Sequence, residues 1–100
     1  MRYQILNDDG CTTLQVSGHL TVSDRDEFDS VIPRVIAAGA SSVTVDIGEL
    51  DHLDSAGLGM LLSLTDLVEG TNSRVTLSGA AGEVRELIEA ARFGTLFTMA

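Results

Sequence analysis

The amino-acid sequence predicts an α/β domain: a mostly parallel sheet of four to five strands with helices packed on one face. Three observations carry this expectation. Short β-type runs alternate with three stretches of helical periodicity, in the order β-β-α-β-α-β-α-β, and strands separated by helices pair in parallel through right-handed crossovers. The strands alternate apolar and polar residues instead of running apolar throughout, so only one face of the sheet is expected to be covered. The chain has 100 residues, and 44% of them come from the set AVILMFWYC. That is enough for one core, and residues 1–100 are expected to be one domain.

The chain opens with two β-like runs, Tyr3–Asn7 and Thr12–Ser17, split by Asn7-Asp8-Asp9-Gly10. The Asp-Gly step predicts a hairpin. Leu14 and Val16 alternate with Thr13, Gln15 and Ser17, which gives that strand one core face. A helix is expected from Ser23, with Asp24, Asp26 and Glu27 in a solvated first turn where carboxylates favour the helix dipole. Phe28, Val31, Ile32, Val35 and Ile36 form its apolar stripe. Pro33 falls inside the helix, on the face away from the core, and should kink it. Gly39 is the expected stop. Ser42–Ile47 is the next strand, followed by a short loop and a second helix over Ser55–Glu69, ended by Gly70. Its stripe is Met60, Leu61, Leu64, Leu67 and Val68. Arg74–Ser78 is a strand, Gly82–Arg92 a third helix with Val84, Leu87, Ile88 and Ala91 inward, and Leu96 and Phe97 lie in a terminal strand.

Charge and composition exclude several functions. Six Lys and Arg against 15 Asp and Glu give a net charge of −9. Such a chain repels phosphate backbones and anionic lipid, so no direct nucleic-acid binding and no membrane insertion are expected. No apolar run approaches the roughly 18 residues of a membrane span, and Met1-Arg2-Tyr3-Gln4 does not open a signal peptide. A cytoplasmic protein is the expectation. The single cysteine, Cys11, gives neither an internal disulfide nor a Cys-based zinc site. No metal and no cofactor are expected. His19 and His52 with Asp51 and Asp54 show no recurring ligand spacing.

The informative stretch is Val45–Leu61, where a strand runs through a loop into the second helix. Asp54 and Ser55 stand at the helix start, and either is a good N-cap. Gly57 and Gly59 both fall near that start, where each weakens a helix by about 1 kcal/mol relative to Ala. Two such losses point to close approach by another backbone or surface. Leu58 and Leu62 lie off the main stripe, so this helix start is apolar nearly all round. It either meets a partner or is buried within the fold.

Asp54-Ser55-Ala56-Gly57-Leu58-Gly59-Met60-Leu61 resembles the phosphorylation-site signature of STAS domains, the family of anti-sigma factor antagonists, or anti-anti-sigma factors. The resemblance covers nearly the whole chain. Gly18-His19-Leu20 resembles the Gly-x-Leu after the family's second strand, Val43–Ile47 the strand before the signature, Arg74–Gly79 the strand after it, and Phe93-Gly94-Thr95-Leu96-Phe97 its C-terminal end. The chain carries Thr21 where many members carry Asp directly after Gly-x-Leu. The resemblance implies a phosphorylation-switched binding module and not an enzyme. Unphosphorylated, it would bind an anti-sigma factor that is also a serine kinase and so free a sigma factor. The kinase would phosphorylate Ser55 from MgATP and be released, and a metal-dependent PP2C-type serine phosphatase would reset the switch. Asp54, Ala56, Gly57, Leu58, Gly59, His19, Thr21 and His52 are the expected partner-binding residues. The surface would comprise Asp51–Ser55, the first turn of the second helix, and His19–Asp24.

Two alternatives stand beside this reading. One is a STAS-domain regulator or subunit of another signalling or lipid-transport assembly. The other is a small serine hydrolase built on Ser55. A nucleophile elbow needs Gly at position 53, where the chain has Leu53, and His52 precedes Ser55 by only three residues in the same loop. Ser78-Gly79-Ala80-Ala81-Gly82 lacks the Gly-Lys-Ser/Thr ending of a phosphate loop and reads as a turn.

Overall fold

A computed structural model describes residues 1–90 and the two-residue strand Thr98–Met99. The elements are β1 (Arg2–Asp8), β2 (Cys11–Leu20), a single 3-10 turn (Val22–Asp24), α1 (Arg25–Ala37), β3 (Ser42–Asp46), β4 (Leu50–Leu53), α2 (Ser55–Glu69), β5 (Arg74–Ser78), α3 (Gly82–Ala90) and β6 (Thr98–Met99). The sheet runs β1-β2-β3-β5-β6. Its first pair is antiparallel, and β2-β3, β3-β5 and β5-β6 are parallel. This is the α/β arrangement that the alternation of elements predicts.

The hairpin follows from its turn residues. Asp8 pairs with Cys11, so the loop is Asp9-Gly10, with φ of 47° and 80°. Two successive positive φ values make a type I′ turn, whose twist matches that of the flanking strands.

The core lies on one side of the sheet. Leu14, Val16, Val43, Val45, Val75 and Leu77 are buried there against Phe28, Val31 and Val35 of α1, Leu61, Leu64 and Val68 of α2, and Val84 and Ile88 of α3. Thr13, Gln15, Thr44, Asp46, Thr76 and Ser78 alternate with the strand residues and stay half-exposed on the other side. A cavity of about 220 Å³ on that polar side is lined by Arg2, Gln4, Gln15, Ser17, Asp46 and Glu49, with Tyr3 and Val16. None of these residues carries the proposed chemistry.

Several expectations need correction. Leu50–Leu53 is a strand and not a loop. It pairs with the far end of β2, Gly18 with Leu50, His19 with His52 and Leu20 with Leu53, across an irregularity at Gly18/His19. Helix α1 begins at Arg25, after the 3-10 turn, and Thr21 takes the cap position before that turn. Pro33 is exposed, as its place on the helix requires, and α1 runs from Arg25 to Ala37 across it. Leu67 is 55% exposed despite its stripe position, whereas Leu58 is buried. Leu67 sits at the margin of the arc whose centre Leu61, Leu64 and Val68 occupy. The expected strand at Leu96 and Phe97, and the positions of Ala91 and Arg92 in the third helix, lie outside the described residues.

Candidate functional site

The site is built where the C-terminal end of β2 and the end of β4 meet the start of α2. Asp54 is the N-cap of α2. Its Oδ1 accepts the Gly57 N–H at 2.7 Å, satisfying one of the free donors of the first turn. Ser55 is therefore the first helical residue and not the cap, and it is exposed. Its side chain stands at the positive end of the helix dipole with the capping role already filled.

Gly57 explains itself by contact. A Cβ added there would lie 2.2 Å from Leu20 O and 2.7 Å from Leu53 Cδ1. The helix start thus presses directly on the end of β2, and only glycine fits. Gly59 is different: nothing lies within 4 Å of an added Cβ, and the residue is exposed. The expected close approach holds for the first glycine, and among the described residues nothing demands the second. Gly57 and Leu58 are both buried, so they support the site from below instead of facing a partner. This corrects their assignment to the contact surface. The missing side chain of Gly57 and the apolar side chain of Leu58 serve the chain's own packing.

The remaining expected residues converge. His19 and His52 are paired neighbours on β2 and β4. Each ring is engaged with a carboxylate: His19 Nδ1 lies 3.0 Å from Asp24 Oδ2, and His52 Nδ1 lies 3.3 Å from Glu83 Oε1. Both side chains are more than half exposed. Thr21 is half-exposed, and its hydroxyl lies 2.9 Å from Ser23 Oγ. Ala56 is half-exposed on the first turn of α2. Asp54 reaches across to the β2 side, where its Oδ2 accepts the Val22 N–H at 3.3 Å.

Asp24 is the residue that charge patterning misplaces. It was expected in a solvated helix start and is instead buried. Its Oδ1 accepts from the Met1 ammonium at 2.8 Å, and its Oδ2 from the Thr21 N–H at 2.9 Å and the Thr21 hydroxyl at 3.3 Å. Burial alone would raise its pKa. The bond from the ammonium, those from Thr21 and His19, and the ammonium charge outweigh burial and hold the carboxyl well below the usual carboxylate range. The signal was present in the sequence: Thr21-Val22-Ser23-Asp24 has the spacing with which a hydroxyl residue and an acid three positions later satisfy a helical start. Val22, 63% exposed, and Glu83 were also not singled out by sequence reasoning.

Chemically, the arrangement presents an exposed primary hydroxyl at a helix N-terminus that tolerates an added anion. Among the described residues, no group of three or more His, Cys, Asp and Glu side chains is placed to hold a metal ion. No helix among them is long and apolar enough to cross a membrane.

The family model described as Mlab, STAS domain matches residues 4–98. The chain belongs to the STAS domain family. A STAS-domain containing protein of Pseudomonas aeruginosa is 33% identical over 85 residues, which cover 85% of this chain and 83% of that protein. Among solved structures, an anti-sigma factor antagonist from Mycobacterium paratuberculosis matches with a TM-score of 0.86 at 17% identity, over 98% of this chain and 83% of the other. Bacillus SpoIIAA, an anti-sigma factor antagonist, matches equally in its unphosphorylated and phosphorylated forms. Each gives a TM-score of 0.72 at 19% identity over 99% of this chain, and over 87% and 91% of the respective SpoIIAA chains. At these identities the structures establish the STAS fold.

Proposed function

We propose that this STAS domain is an anti-sigma factor antagonist switched by phosphorylation of Ser55. The observation that carries the reading is the placement of Ser55: exposed, first in α2, and relieved of capping by Asp54. Unphosphorylated, the domain sequesters an anti-sigma factor that is also a serine kinase, and a sigma factor is freed. A PP2C-type serine phosphatase removes the phosphate. The domain, residues 1–100, acts in the cytoplasm as a binding module without catalytic turnover of its own. Two features support the switch. Phosphorylation adds about −1.5 to −2 charges to a chain already at −9. A helix N-terminus accommodates a phosphate through its free N–H groups, so the fold survives while the face seen by the partner changes. The equal match to both forms of SpoIIAA is in keeping with a fold that outlasts the modification.

A dianion left unpaired in an interface costs several kcal/mol, and each 1.4 kcal/mol is about tenfold in affinity. The test begins with the serine kinase that co-purifies with the unphosphorylated chain. Purified, it is titrated against wild type, Ser55→Ala and Ser55→Glu, alongside thermal melts. Ser55→Ala binds as wild type and takes no label from ATP. Ser55→Glu loses two or more decades of affinity without losing its melt. Wild-type binding by Ser55→Glu, or a loss explained by unfolding, overturns the switch.

A second reading, a STAS-domain regulator or subunit of another signalling or lipid-transport assembly, draws support from the matching family model, which is named for Mlab and not for the antagonists. In that case the protein that co-purifies is a subunit of such an assembly, and Ser55 takes no label from it.

A further inference from the structure

The start of α2 and the segment Leu20–Val22 are joined at three points. The Asp54 N–H donates to Leu20 O at 3.3 Å. Gly57 lies so close to Leu20 O that no side chain fits between them. The Asp54 carboxylate spans the junction, with one oxygen on the Gly57 N–H and the other on the Val22 N–H. Capping α2 needs only the first of those oxygens. The second accepts from Val22, the first residue of the 3-10 turn, at 3.3 Å. Val22 is the most exposed of the large apolar side chains among the described residues, at 63%, against 55% for Leu67 and 44% for Leu6. It is the one tied by a hydrogen bond to the residue beside Ser55.

We propose that Asp54 is a positioning residue for partner recognition: its second oxygen holds the Val22 turn against the start of α2, so that Val22 docks as an apolar contact beside Ser55. The inference rests on the reading of the Ser55 face as the docking face. The partner it fits is a protein surface with a small apolar depression next to the place that receives the serine hydroxyl. Asp54 thereby unites two segments, the one that follows β2 and the one that follows β4, into one surface that a partner reads at once.

The roles of the two oxygens separate by substitution. In Asp54→Asn the side chain keeps one acceptor oxygen, which can cap α2, and its amide group cannot accept from Val22. In Asp54→Ser the hydroxyl caps α2 and is too short to span to Val22. The probe is the purified serine kinase recovered above, with amide exchange of the intact chain read by nuclear magnetic resonance. For both variants the Val22 amide exchanges at least tenfold faster, protection in α2 beyond Leu58 is unchanged, and kinase affinity falls about tenfold. Val22→Ser, with Asp54 intact, falls about tenfold as well. The double variant Asp54→Asn/Val22→Ser falls no further than Val22→Ser alone, because both changes remove the same contact. If the two losses multiply, if Val22 exchange is unchanged in both Asp54 variants, or if Val22→Ser binds as wild type, the proposal is overturned. Failure of the docking-face reading is distinguishable, since it appears as wild-type binding by Ser55→Glu. Should Asp54→Asn fail to fold, Asp54→Ser and Val22→Ser decide the matter.

Discussion

Gly57 and Gly59 stand two residues apart at the start of α2, and their surroundings are opposite. On the inner side, an added Cβ at Gly57 meets backbone oxygen at 2.2 Å; on the outer side, one at Gly59 meets nothing within 4 Å. Each glycine imposes the same intrinsic penalty on a helix, about 1 kcal/mol relative to Ala. The inner penalty is explained by the chain's own packing. The outer one finds no such explanation among the described residues, and Gly59 lies one helical turn after Ser55, on the same face. The difference teaches that the same helix-weakening residue can be required by close approach at one position and, two residues later, by nothing among the described residues.

That contrast can be broken or sharpened by substitution. Gly57→Ala has the largest expected effect. The added methyl must displace the end of β2, a rigid backbone, and the loss should reach about 3 kcal/mol. A urea titration reads this directly, and wild-type stability would remove the close contact from the account. Asp24→Asn comes next, testing whether the inner side also depends on a buried charge. It should cost about 2 kcal/mol at pH 7, since hydrogen bonds to a charged group are lost. The folded pKa of Asp24 lies below its unfolded value. Its contribution is therefore complete above about pH 4 and is lost as pH falls through the folded value. Thermal melts from pH 7 to pH 2 should show the gap between wild type and Asp24→Asn closing as acid is added; a gap of constant size would refute the assignment. Gly59→Ala has the smallest effect on the free protein and the opposite sign, a gain of up to about 1 kcal/mol. In the kinase titration the same substitution should weaken binding. A gain in stability with unchanged affinity would mean that no partner packs on the outer side.

Much of the framework was legible because its signals are local. The period of Phe28, Val31, Ile32 and Val35 reports a buried helix face, and all four are buried. Asp9-Gly10 reports its turn because few other residues adopt two successive positive φ values. The bounds of α2, Ser55–Glu69, agree with those read from capping and periodicity. Strand β4 was not legible. It has four residues, its outer two buried and its inner two exposed, so it shows no alternation, and its partner is the far end of β2, some 30 residues earlier. The burial of Asp24 was hidden for a related reason. Charge patterning places acids outside, and the Thr21 spacing, though local, is completed by the Met1 ammonium, which meets Asp24 only in the folded chain. At the site, Ser55 was legible as a residue type at a helix start. That Asp54 would cap and leave Ser55 exposed was not, because both residues are good caps in isolation.

Of the ten residues of strand β2, Cys11–Gln15 lie beside β3 and Gly18–Leu20 beside β4, both in parallel. The division falls at Gly18, whose φ of +83° and irregular pairing interrupt the pleat. An interruption of this kind works as a phase break. Residues before it keep time with β3, and residues after it keep time with β4. One strand therefore carries two registers, and the segment that leads from β2 to Thr21 takes its place from β4 and not from the rest of the sheet.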